Sequence, residues 1–347
     1  MKHSAETGRP READRSSETI ILSPGSTHPE YDQHTIRPDC RDRVNPTTSP
    51  SASVAAQLRE ETFACGGVRL NVAVGPRNGP PLVLLHGVTR GWRDWLPIMR
   101  GMSDHWQIFA LDQRGHGASD RVPGAYRVAD FAGDAAAFLR EHVGESAVLW
   151  GHSLGAMTAA AVAARAPENV RALVLEDPPG TALVGSLAES RYALQFTGVH
   201  GLLTETRDVE TLTVRLATLP VQHPRDGRIV EFRELRDEAA LRFSAECLAC
   251  LDATVLDVLL AGRWLDGLDW FGDLARIACP TLLLRADPEC GGMLSLPDAA
   301  RITGSISSAR RIEFPGIGHS LHATAPGGTL AHVLDFLHAL PSVHIQP

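Results

Sequence analysis

The sequence lacks any apolar run long enough to cross a bilayer, and its first thirty residues hold nothing more apolar than Ile20-Ile21-Leu22. That excludes a signal-peptide core and a spanning helix, so a cytoplasmic protein is expected. Net positive charge is missing as well. The 33 Lys and Arg residues are outnumbered by 41 Asp and Glu, for a formal charge of −8, which argues against a general nucleic-acid surface. Cysteine is sparse: six residues lie scattered through 347, and in a chain without a secretion signal they read as reduced thiols instead of a disulfide framework. Cys247-Leu248-Ala249-Cys250 is the one C-x-x-C. With no second pair and no histidine pair at ligand spacing, it is expected to be two buried small side chains and no metal site. No internal repeat is visible.

What is present is a globular composition. With 44% hydrophobic residues the chain can bury a substantial core, as one large domain with an insertion or as two domains. Met1 to Ser53 is rich in Ser, Thr, Pro, Arg, Asp and Glu without a sustained period, and residues 1–56 are expected to be a disordered extension. From Gln57 onward, order begins. Glu61 to Cys65 and Val68 to Val74 flank Gly66-Gly67 as a hairpin. Short apolar strands (Pro81 to Leu85, Gln107 to Leu111, Ala147 to Trp150, Ala172 to Leu175) then alternate with helical segments such as Tyr126 to His142. Alternation at this interval implies parallel strands joined by right-handed crossovers, hence a doubly wound α/β sheet. Between about Ala182 and Leu265 the buried strands stop and helical periods such as Val209 to Leu219 and Asp237 to Leu260 take over. Strands Thr281 to Leu284 and Arg310 to Phe314 and a last helix from Gly328 follow. The expected organisation is a core in two parts, 57–181 and 266–347, with an all-helical cap at 182–265. An insertion at the carboxyl ends of the strands sits where open α/β sheets bind ligands.

The chemistry is concentrated in Ala147-Val148-Leu149-Trp150-Gly151-His152-Ser153-Leu154-Gly155-Ala156-Met157. A strand ends, a serine appears, and an alanine-rich helix begins. So sharp a turn forces positive φ on its central residue and leaves no room for side chains two positions to either side, where Gly151 and Gly155 stand. The strain lifts the serine hydroxyl from the sheet while the helix N-terminus points free N–H groups at the same place.

A serine needs a base, and the base needs a carboxylate to hold its tautomer. His319, on the glycine-rich loop Phe314-Pro315-Gly316-Ile317-Gly318-His319-Ser320 after the last strand, is the expected base. His322 is expected at the N-terminal side of the closing helix or at the surface, and His152 as a packed or hydrogen-bonded neighbour of the serine. Three carboxylate positions compete for the acid. Asp287, closest to the end of its strand and followed by the stiffening Pro288, is taken as the acid; Glu289 and the Glu176-Asp177 pair are the alternatives. An oxyanion needs two backbone donors, for which the Leu154 N–H and the Val88 N–H after His86-Gly87 are expected.

Leu84-Leu85-His86-Gly87, Asp112-Gln113-Arg114-Gly115-His116-Gly117-Ala118-Ser119, Gly151-His152-Ser153-Leu154-Gly155 and Pro315-Gly316-Ile317-Gly318-His319 together resemble the α/β-hydrolase superfamily in order and spacing, over roughly Glu61 to Leu340. The resemblance implies a serine nucleophile, a late acid and histidine, an oxyanion hole, a helical cap and no cofactor. It also implies that Arg114 and His116 hold their loop and take no part in bond making. The acid loop departs from the family pattern: Arg285-Ala286-Asp287-Pro288-Glu289-Cys290-Gly291-Gly292 replaces the commoner glycine-x-x-aspartate. An elbow serine, where dehalogenases and epoxide hydrolases carry aspartate, selects acyl transfer.

The expected activity is hydrolysis of an apolar small-molecule ester or lactone through an acyl-enzyme on Ser153, with a medium-sized ester, a thioester or a macrocyclic lactone all fitting. Cap residues Leu194, Phe196, Leu202, Leu203, Phe243, Leu248, Leu251, Leu259 and Trp264 are available to line the pocket, and Trp92 or Trp95 to add an aromatic wall. A cofactor-free perhydrolase, a carbon–carbon bond hydrolase and a small-molecule receptor of the same fold are the alternatives.

Overall fold

A computed structural model describes Thr19–Ile20 and residues 58–340. Apart from Thr19–Ile20, the expected disordered extension lies outside the described residues. One nine-stranded sheet organises the rest, in the order β1-β11-β10-β7-β6-β4-β5-β3-β2, made of Thr19–Ile20 (β1), Arg59–Cys65 (β2), Val68–Val74 (β3), Pro81–Leu85 (β4), Gln107–Leu111 (β5), Ala147–His152 (β6), Val170–Glu176 (β7), Thr281–Ala286 (β10) and Ala309–Phe314 (β11). The β2–β3 hairpin, turned by Gly66 and Gly67 in the left-handed region, and the β3–β5 pair are antiparallel; every other pairing is parallel.

Why the sheet is doubly wound is readable in β4. Successive side chains of a strand point to opposite faces, so Leu82 and Leu84 join one apolar cluster with Trp95, Ile98 and Val333, while Val83 and Leu85 join another with Phe131, Phe138 and Met157. Both faces are therefore covered by helices. Leu96–Met102 and Pro326–His338 lie on the first, Val128–Phe138 and Leu154–Arg165 on the second.

The elbow glycines are required sterically. A Cβ on Gly155 would fall inside the carbonyl of Leu85, and one on Gly151 inside the carbonyl of Gly155. Gly155→Ala is accordingly expected to lower stability by about 2–4 kcal/mol, because the atoms in the way are backbone and cannot rotate aside. Urea denaturation measures this, and a loss within error of zero would show that helix and strand can separate.

The insertion is not all helical. The helices Ala193–Glu205, Val209–Ala217, Glu238–Ala249 and Thr254–Leu260 are joined by an antiparallel ribbon of Pro220–Gln222 (β8) and Ile229–Glu231 (β9). Only Val221 and Val230 of the ribbon are buried, so it shows too little apolar signal to register as strand in the sequence. The expected continuous helix from Asp237 to Leu260 also breaks. At Asp252 the backbone N–H donates to the Gly115 carbonyl (2.7 Å), while the carboxylate accepts from Tyr126 Oη (2.6 Å) and from Thr254 N–H (3.0 Å). A tie to the core outweighs helical continuity there. Cys247 and Cys250, expected buried, are half-buried and exposed, and both are free thiols.

Candidate active site

Ser153 sits between β6 and the helix Leu154–Arg165 at φ 54° and ψ −117°, a backbone that L-residues rarely adopt. Its N–H donates to the Glu176 carbonyl (2.9 Å), which ties the elbow to the end of β7. Among the described residues, the N–H groups of Val88 and Leu154 have no acceptor, and both residues line the cleft that Ser153 opens on.

The loop carrying Val88 is fixed from below. Gln113 N–H donates to His86 Nε2 (3.0 Å), which leaves the ring proton on Nδ1 to donate to the Gly87 carbonyl (2.8 Å). Burial keeps that ring neutral, pushing its pKa down to about 4. Gly87 lies so close to the elbow that an added Cβ would stand 3.0 Å from His152 Nδ1 and 3.2 Å from Ser153 Cβ. The Asp112–Ser119 motif braces the same loop. Asp112 accepts from Trp92 N–H (2.8 Å), Arg114 is paired with Asp134 (2.5 Å), and His116 Nδ1 meets the Arg114 carbonyl at 2.9 Å.

His319 is where the glycine loop was expected to deliver it, on the rim of the cleft with Ser153. Its partner is not Asp287. His319 Nδ1–H donates to Asp177 Oδ2 at 2.7 Å, leaving Nε2 with its lone pair. Asp177 is fully buried, and its carboxylate also accepts from Ala286 N–H (3.2 Å) and Met293 N–H (2.8 Å). Residue 177 follows β7, the strand beside the elbow strand, and φ 41° swings its side chain back over the sheet edge. Asp287 is already engaged. One of its oxygens caps the short turn after β10 through Glu289 N–H (2.9 Å) and the other accepts Gly316 N–H (2.8 Å), so it braces the histidine loop from outside. Glu289 is mostly exposed, with Arg225 at 3.8 Å.

Two further expectations need correction. His322 does stand on the N-terminal side of the closing helix, in the short helix Leu321–Thr324, but it is not at the surface: it is completely buried, with Nδ1 2.7 Å from Glu176 and Nε2 3.1 Å from Asp94. Trp95 is no cleft wall either, because it is buried against His322 and Trp150, and Trp92 lines a separate cavity with Phe243. His152 does pack as expected, with Nε2 donating to the His319 carbonyl (3.1 Å). Burial, with the neighbouring His319 and His322 rings, holds its pKa well below the usual value.

Two lobes meet at Ser153. One is apolar and lined by Val88, Phe131, Phe196, Leu259, Trp264 and Met293. Of the remaining cap candidates, Leu202, Leu203, Leu248 and Leu251 are core, and Leu194 is exposed. The other lobe is lined by Arg90, Arg191, Tyr192, Gln195, Gln222 and Arg236. Arg191 and Tyr192 carry no sequence signal that separates them from other cap residues. In the structure the Arg191 guanidinium donates to the carbonyls of Pro224 (3.1 Å), Pro288 (2.9 Å) and Gly292 (2.6 Å) and to Tyr192 Oη (3.0 Å), all of them neutral acceptors.

Comparison with known proteins bears on the family and the fold. Residues 80–216 match the family described as alpha/beta hydrolase fold. Over 285 residues the chain is 38% identical to 2-(acetamidomethylene)succinate hydrolase of Mesorhizobium japonicum, covering 79% of this chain and 93% of that one. The chain belongs to the α/β-hydrolase family. Solved α/β-hydrolases superpose on it over most of their length. A crystal structure of E-2-(acetamidomethylene)succinate hydrolase matches with TM-score 0.62 at 23% identity, covering 81% of this chain and all of that one. The enol-lactonase of Burkholderia xenovorans matches with TM-score 0.63 at 20% identity, covering 80% and 100%. Among the described residues of this α/β-hydrolase no helix is long and apolar enough to cross a membrane.

Proposed function

We propose that this hydrolase cleaves an acyl–heteroatom bond in a small carboxylate-bearing substrate, through an acyl-enzyme on Ser153. The observation that carries the reaction is the 2.7 Å bond from His319 Nδ1 to buried Asp177, because it leaves Nε2 unprotonated on the cleft that Ser153 shares. Nε2 takes the hydroxyl proton as Oγ bonds to the carbonyl carbon. The N–H groups of Val88 and Leu154 receive the oxyanion. Collapse breaks the bond to nitrogen or oxygen, and the proton held by His319 goes to the leaving group. Water then gives a proton to His319 and attacks the acyl carbon, and as the bond to Oγ breaks His319 passes that proton to Oγ, freeing the acid and Ser153.

Charge supports one substrate class over another. Among the described residues the hydrogen-bond partners of Arg191 at the cleft are all neutral, so its positive charge is available to a ligand anion. The relative's named substrate, which joins an acetamido group to a succinate, supports an acylamino acid ahead of the uncharged apolar ester expected from the sequence. An ester of the same acid would react by the same steps. The test compares kcat/KM for N-acetylated and O-acetylated dicarboxylates with that for their dimethyl esters. The free acids are expected to lead by roughly 10- to 100-fold, as loss of a charge-assisted hydrogen bond would give; a lead for the uncharged esters would overturn the anionic class. Arg191→Gln is expected to erase most of that preference, lowering the acid-to-ester ratio of kcat/KM by roughly 10-fold or more. If both substrates suffer equally, Arg191 merely supports the loops it joins.

A further inference from the structure

The end of β7 carries two consecutive carboxylates, and each holds a different histidine. Asp177, just past the strand, takes His319, while Glu176, its last residue, takes His322 three residues further along. The second pair lies wholly inside the protein. Glu176 Oε1 accepts both the backbone N–H of His322 (3.0 Å) and its Nδ1–H (2.7 Å), and Oε2 accepts Trp150 Nε1–H (3.0 Å). On the other side of the ring, His322 Nε2 faces Asp94 Oδ2 at 3.1 Å, and Trp95 lies over it with centroids 4.3 Å apart. Both ring nitrogens thus face carboxylate oxygens. A neutral imidazole has one N–H and could satisfy only one of them; an imidazolium has two.

We propose that His322 is a charged positioning residue, an internal imidazolium that joins the three segments supplying acid, base and oxyanion donor. Glu176 precedes Asp177 in the chain, His322 lies in the short helix Leu321–Thr324 that follows His319, and Asp94 lies six residues after Val88. One ring therefore fixes the mutual spacing of all three. This role rests on the reading of Ser153, His319 and Asp177 given above. Burial opposes the charge on the ring, but Glu176 and Asp94 outweigh it and raise its pKa well above the ordinary histidine value. Burial also opposes the charge on Asp94, and His322 overcomes it, holding that carboxyl well below its usual range. The sign is consistent: a raised value keeps the ring charged as pH climbs through neutrality, so the bridge persists where His319 must be neutral to act. The charged and titratable groups around the ring are Asp94 from the turn Trp92–Trp95, Glu176 from β7 and His152 from β6, whose ring lies 4.9 Å away, with Arg90 and His319 beyond them.

Nitrogen-15 NMR on the full chain with labelled histidines reads the charge directly. One ring is expected to keep both nitrogens protonated from about pH 6 to about pH 9, and to vanish from the spectrum of His322→Gln. A neutral ring, or one titrating near the ordinary value, overturns the proposal, as does a stoichiometric metal ion held by Asp94, His152 and His322, whose ligand atoms lie within 4.8 Å of one another. Fluorophosphonate labelling of Ser153 reads the positioning. His322→Gln is expected to slow it roughly 10- to 100-fold, since small misplacements of reacting groups cost that much. In Asp94→Asn, which keeps the side-chain shape but removes one of the two carboxylates facing the ring, the doubly protonated signal of His322 is expected to disappear at a lower pH than in the native chain. Variants that label at the native rate sink the positioning role alone. A native chain that does not label at all sinks the hydrolase reading and the positioning role with it, while leaving the NMR result to stand or fall separately.

Discussion

Replacing Ser153 by alanine is expected to reduce kcat by about 10⁵-fold, with KM changed little, because the substitution removes the attacking atom and leaves the cleft intact. Some rate over water should survive, since Val88 and Leu154 still offer their N–H groups to a developing oxyanion. No fold-level cost is expected. Ser153 makes no side-chain cap to its helix, and its backbone bond to the Glu176 carbonyl is kept by alanine. Alanine must still accept φ 54°, a strain the serine already bears, so the two proteins should unfold at similar temperature. Steady-state kinetics and a melting curve together check this; a variant that keeps more than a tenth of native kcat would remove Ser153 from the reaction.

The second large effect separates two aspartates. Asp177→Asn is expected to lower kcat by about 10³- to 10⁴-fold, and Asp287→Asn by less than about tenfold. The argument is one of donors and acceptors. Asp177 Oδ2 accepts from both His319 Nδ1–H and Met293 N–H, and Oδ1 accepts from Ala286 N–H. An asparagine cannot satisfy all three. With its NH₂ toward His319 it faces the Met293 donor and forces the imidazole into the tautomer whose Nε2 carries the proton, useless as a base; with its NH₂ toward Ala286 it sets donor against donor in a fully buried place. Asp287 by contrast supports a loop through Glu289 and Gly316, and asparagine can keep one of those bonds. Measured kcat values for the two variants decide between them, and a larger loss in Asp287→Asn would restore the acid expected from the strand pattern.

That reversal shows what local sequence carries and what it does not. Gly151 and Gly155 are steric requirements of one turn, Leu82 to Leu85 alternate between two faces of one strand, and such features lie within a few residues of each other; the sheet and the elbow were therefore legible. The choice among Asp287, Glu289 and Asp177 depends on which strand ends beside which in space. β7 lies between the elbow strand and β10, and only that order, together with a left-handed backbone at residue 177, brings Asp177 to His319. His322 was misplaced for a related reason. A charged residue near a helix start reads as exposed, and burial becomes tolerable only through Glu176 and Asp94, which are 146 and 228 residues away. The cap ribbon was hidden by its shortness, and Arg191 by the lack of any pattern that distinguishes a guanidinium with neutral partners from one on a solvated face.

The most direct measurement is mass spectrometry of the full chain quenched during turnover of p-nitrophenyl acetate, with the modified peptide mapped. The arrangement of Ser153, His319 and Asp177 requires one acetyl group per chain on the peptide containing Ser153, absent in Ser153→Ala and forming more slowly in Asp177→Asn. Acetylation at another residue, or turnover with no acylated peptide at any time point, would contradict it.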